Sequence, residues 1–98
     1  MHNHMKDDQI LVQTALTLAR AVRDDMPKGW FARKAVMPGV GKIIRDISRQ
    51  INSPDVAKEV WRFGAYITDI FDNDDLDGMI SDYLETAATM SENEDYYG

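Results

Sequence analysis

The chain contains no cysteine, which excludes a disulfide scaffold, a thiolate zinc site and a cysteine nucleophile. Its two histidines, His2 and His4, both fall at the very start. A histidine general acid or base would therefore have to act from a chain end, and such a pair near a terminus binds metal only adventitiously. No apolar run approaches the roughly 18 residues of a membrane span. The polar opening Met1-His2-Asn3-His4 is unlike a signal peptide, so the expected setting is the cytoplasm, without membrane contact. Proline is scarce, at three residues, and no stretch alternates polar and apolar as a half-buried strand does. Basic residues are missing from the whole region after Arg62, where Asp69 onward holds ten acids and no Lys or Arg.

What is present fits one small globular domain. The 98 residues are 44 % hydrophobic and 29 % charged, too apolar for a disordered chain and of single-domain length. The net charge of −6 conceals a polarity: residues 1–52 carry nine Lys or Arg against five Asp or Glu, and residues 53–98 carry two against twelve. Such asymmetry bears on association partners and not on fold.

The spacing of apolar residues predicts helices throughout, an all-α bundle of four over about 7–25, 39–51, 54–71 and 75–90. In the first, Leu11, Ala15, Leu18, Val22 and Met26 share a face that Val12, Leu16 and Ala19 widen. The second has the seam Val40, Ile43, Ile44, Ile47 and Ile51, with Gly39 and Gly41 turning the chain into it. The third opens on Ser53-Pro54-Asp55, a capping serine, a proline suited to the first helical position and an acid suited to the dipole. Within it, Gly64 is tolerable where a neighbouring helix approaches closely. The fourth is capped by Asp74 and follows Leu76, Met79, Ile80, Tyr83, Leu84, Ala87 and Met90. Residues 1–6 and 91–98 lack this period and are expected to fray. Met26 to Pro38 reads as an irregular connection, with room for a short fifth helix within 30–36. The broad apolar face of the first helix, with Trp61, Tyr66 and Phe71, predicts a homodimer.

Two fragments suggest ligand chemistry and fail on inspection. Asn73-Asp74-Asp75-Leu76-Asp77-Gly78 aligns with the first six positions of a calcium-binding EF-hand loop, but the twelfth position, which needs a bidentate Glu, holds Leu84. Pro38-Gly39-Val40-Gly41-Lys42 lacks both the earlier glycine and the following Ser or Thr of a phosphate loop. No metal and no cofactor is expected. With no cysteine, no placed histidine and acids clustered on solvent faces, the residues point away from an enzyme.

Two charged surfaces remain. Lys28, Trp30, Phe31, Arg33 and Lys34 interleave aromatics with cations, and Lys42, Arg45 and Arg49 extend the positive balance along the second helix. Such a surface suits phosphate contact with base stacking, or anchoring of a protein partner. Asp74, Asp75, Asp77, Asp82 and Glu85 form the opposite feature, a row of carboxylates that can steer and hold a basic protein surface. The leading expectation is a non-enzymatic protein-binding module, an adaptor, regulator or inhibitor of the kind found among bacterial or phage accessory proteins. Nucleic-acid binding through the basic residues is the second reading.

Overall fold

The computed structural model describes residues 4–25, 30–70 and 72–97, with side chains for 7–25, 33–70 and 72–93. Among these residues it is an all-α bundle without strands. Helix α1 spans His4–Asp25 and buries Val12, Ala15, Leu16, Ala19 and Val22, the three- and four-residue spacing of one helical face.

Helix α2 spans Trp30–Ser48 and overturns the expected irregular connection from Trp30 to Pro38; residues 26–29 of it lie outside the described residues. The predicted fifth helix is its first half, and Pro38 lies inside it. A proline there removes one intrahelical hydrogen bond and costs about 3 kcal/mol. Burial on both sides of it compensates, because Arg33, Met37, Val40, Ile44 and Ile47 form one buried stripe across the proline. Gly39 and Gly41 accordingly sit within the helix and make no turn; no glycine among the described residues has positive φ. Ile43, assigned by spacing to the buried seam, is 50 % exposed.

Helix α3 spans Pro54–Tyr66 and begins as the sequence predicts, with Ser53 in extended conformation accepting from the Val56 amide. It buries Val56, Val60, Phe63 and Gly64 and ends in a 3₁₀ turn, Ile67–Asp69. Phe71 lies outside the described residues. Asp72, and not Asp74, caps α4, Asn73–Met79, by accepting from the Asp74 amide. The chain then runs on through a π-helical segment, Ile80–Glu85, into α5, Thr86–Tyr97. Helix thus continues past Met90 through most of the stretch expected to fray. Ser91 is buried, and its carbonyl accepts from Gln9 Nε2 at 3.4 Å. Helix α1 is described from His4 onward.

Helices α2 and α3 form a hairpin whose crossing is set by two glycines. A Cβ on Gly41 would lie 2.5 Å from the Gly64 carbonyl oxygen, and one on Gly64 would lie 2.9 Å from that of Gly41. The backbones touch, and Arg45 Nη1 donates to the Gly64 carbonyl at 3.1 Å. Helix α1 runs antiparallel to the C-terminal rod, since Gln9 meets Ser91, Arg20 meets Glu85 and Arg23 meets Asp77. Leu76, Ile80, Leu84 and Ala87 complete the core. The accessible surface, 5669 Å², matches the roughly 5,700 Å² a compact monomer of this mass exposes.

The two hairpin halves are tied to α1 by a buried carboxylate. Asp8 is fully buried, and it accepts from the amides of Asn52 at 2.8 Å and Ser53 at 3.0 Å in the α2–α3 connection. Asp8→Asn keeps the shape but turns a donor toward those amides, so it is expected to cost about 1–3 kcal/mol. Urea denaturation read by circular dichroism measures this; an unchanged midpoint would remove the carboxylate from the account of how this connection is held.

Candidate functional site

The described basic candidates divide: Arg33 is buried, Arg45 half-buried, and Lys34, Lys42 and Arg49 exposed. Arg33 is 1 % exposed. Its Nη2 donates to Asn73 Oδ1 at 2.8 Å and to the Arg23 carbonyl at 3.5 Å. Asn73 Nδ2 donates to the same carbonyl at 3.1 Å, so the end of α1, the first half of α2 and the start of α4 are fastened together. Arg33 therefore belongs to no surface. Arg45 is half-buried against Gly64, and Arg49 pairs with Asp46 at 2.7 Å. Lys34 and Lys42 are exposed on α2. Lys28 lies outside the described residues, as do the side chains of Trp30 and Phe31.

The acidic candidates divide differently. Two are paired: Asp77 with Arg23 at 2.7 Å, and Glu85 with Arg20 at 3.4 Å. Hydrogen bonds from Arg23 to Asp24 and then to Asp77 raise its pKa above the ordinary arginine value. Asp74, Asp75 and Asp82 stay exposed, and no described cation pairs with them. Glu92, further along the same rod, is also exposed. Asp75 lies in α4 and Asp82 in the π-helical segment that continues it, so both project from the same rod. At 1.5 Å per residue, the span from Asp75 to Glu92 is about 25 Å. Their negative charge near the start of α4 is favoured by the helix dipole, which lowers the cost of gathering acids there.

The sequence does not foretell two features beside this row. The π segment shifts the register inside the rod, so that Ile80, Leu84, Ala87 and Ser91 stay buried while Asp82 and Glu85 face out. Such segments occur disproportionately at functional sites. From the same segment, Tyr83 packs edge-on against the half-exposed Tyr66, ring centroids 5.8 Å apart. This gives the row an aromatic border within reach of a cation.

Among the described residues, no group of three or more His, Cys, Asp or Glu side chains could together hold a metal ion. The helical start at Asn73 follows the apolar spacing that argues against a calcium loop. No described helix is long and apolar enough to cross a membrane. Comparison with known families, characterised proteins and solved structures finds no match to this chain.

Proposed function

We propose that the protein is a non-enzymatic binding module that docks a basic surface of another protein on its acidic C-terminal rod. The observation that carries this reading is the row of exposed carboxylates free of described cations, Asp74, Asp75, Asp82 and Glu92, on one continuous helical rod. A rigid support fixes the charges without the entropy cost of ordering a flexible tail. Their field steers a basic partner and weakens with salt. The competing basic patch loses Arg33 to the interior and has Arg45 half-buried against Gly64, while Arg49 stays on the surface beside Asp46, which leaves the nucleic-acid reading with less support.

Co-purification from native lysate, at low salt and at about 0.5 M salt with nuclease, tests this with two matched variants. Neutralising Asp75, Asp82 and Glu92 (to Asn, Asn and Gln) is expected to lower capture of a basic protein at least tenfold. Neutralising Asp25, Asp55 and Asp69, which gives the same net charge, is expected to leave it within twofold. Nuclease-sensitive nucleic acid, retained by the native chain and lost on Lys34→Glu with Lys42→Glu, would instead establish the basic reading. Capture that is equal across all variants would overturn both.

A further inference from the structure

Helix α1 turns toward solvent a face that its surroundings do not explain. Residues 9–19 include no charged side chain, although the molecule carries net charge −6 and the solvent side of a surface helix is ordinarily charged. Opposite the buried stripe lie Ile10, Gln13, Thr14, Thr17 and Ala21, all exposed, with Ile10 at 57 %. Together with the half-buried Leu18 they line an open groove of about 790 Å³.

We infer that this face is where two copies of the chain meet, α1 antiparallel to α1 across a two-fold axis passing between Thr14 and Thr17. The charge pattern selects the occupant. A basic partner finds nothing to pair with on this face, and two strongly acidic copies can approach closely only where neither presents charge. Steric fit selects the orientation. In an antiparallel pair about that axis, Ile10 of each copy stands level with Ala21 of the other, so the largest projecting side chain faces the smallest. Thr14 of each copy meets Thr17 of the other at the centre, where the Thr14 hydroxyl, which donates to the Ile10 carbonyl at 2.9 Å, can accept from Thr17. The contact is isologous and closes at two copies, as a point-group dimer requires. One helix face buries less than the roughly 800 Å² per partner of a standard interface, so the dimer is reversible and concentration-dependent. Asp7 of one copy comes level with Asp24 of the other, whose carboxylate Arg23 already pairs at 2.8 Å, and Lys6 comes level with Asp25, so the charges at the two ends of the contact largely offset and the pairing depends little on salt. Binding to a basic protein would instead weaken with salt.

Sedimentation velocity from about 1 µM to about 1 mM, a range that brackets weak and moderate affinities, reads the result. The native chain is expected to pass from monomer to dimer over this range, at low and at high salt alike. Thr17→Glu places two carboxylates at the axis and Thr17→Arg two guanidinium groups; each is expected to raise the dissociation constant at least tenfold. Mixing the two is expected to restore association as a heterodimer. Thr17 is exposed and Glu and Arg are better helix formers than Thr, so folding is retained, which circular dichroism verifies. Gln13→Glu serves as a second probe beside the axis. A native chain that stays monomeric throughout, or Thr17 variants that associate as the native chain does, overturns the inference.

Discussion

Arg33→Glu is expected to abolish cooperative folding. The native guanidinium, 1 % exposed, donates to Asn73 Oδ1 and to the Arg23 carbonyl. The substituted carboxylate would face those same two acceptors with no donor of its own. Each charge-assisted hydrogen bond lost costs about 1.5–3 kcal/mol, and an uncompensated buried charge costs about 3–5 kcal/mol. Small domains have total stabilities of about 5–15 kcal/mol, so the sum removes most or all of it. Thermal unfolding followed at 222 nm is expected to show no cooperative transition for Arg33→Glu. Arg33→Met, apolar and of similar length, is expected to fold with a lowered midpoint. Lys42→Glu, on the exposed side of the same helix, is expected to stay within about 0.5 kcal/mol of the native chain. A native-like transition for Arg33→Glu would show that this end of the bundle is not fastened through Arg33. The comparison also governs how binding is probed: a variant that unfolds loses every partner, so Arg33 cannot report on nucleic acid.

The second large effect lies at the α2–α3 crossing, and there the sign of the change is the test. A Cβ on Gly41 would lie 2.5 Å from a backbone oxygen, 3.1 Å from Thr68 Cγ2 and 3.3 Å from Ile67 Cγ2. Backbone cannot rotate aside, so the helices must separate along their longest contact. Gly41→Ala is expected to cost at or above the upper end of the roughly 1–3 kcal/mol typical of overpacking, even after a helix-propensity gain of about 1 kcal/mol. Gly64→Ala meets Arg45 Cγ and the Gly41 oxygen, both at 2.9 Å, and is expected to cost somewhat less, since the arginine stem can move. Gly39 and Gly78 have nothing within 4 Å of a built Cβ. Alanine at either is expected to stabilise by about 0.4–1 kcal/mol. Urea titration of the four variants separates them into two of each sign; a gain at Gly41 would mean that the helices do not touch there.

The outcome at these glycines illustrates what the sequence makes legible. The start of α3 is readable because Ser53, Pro54 and Asp55 each have a local reason to stand where they do. Gly64 is readable as a close approach because it interrupts an otherwise regular apolar face. Its partner is not, because Gly41 sits beside Pro38 and Gly39, and together they resemble a turn. What keeps α2 helical through that stretch is burial of Arg33 and Met37 on one side of the proline and of Val40 and Ile44 on the other. Local propensity has no access to that long-range term. Arg33 is missed for the same reason: in sequence it is one cation among several, and its acceptors, the Arg23 carbonyl and Asn73 forty positions away, are brought to it by the tertiary fold. The acids of the C-terminal rod are legible as a charged feature from composition alone. Which of them are occupied by Arg20 and Arg23 depends on the antiparallel placing of α1, which no local pattern encodes.

That placing has a consequence for the order in which the molecule is made. Helix α1 is synthesised before the rod that covers it, with 82 positions between Gln9 and Ser91 and 65 between Arg20 and Glu85. The α2–α3 hairpin closes over a short connection and emerges ahead of the rod. Until the final turns emerge, Val12, Leu16 and Ala19 have only part of their covering, and the nascent chain exposes an apolar helix. Closing so long a loop is the slow, entropically opposed step. An early stop in translation, or cleavage within the rod, would therefore yield a species prone to aggregate and not a smaller folded domain.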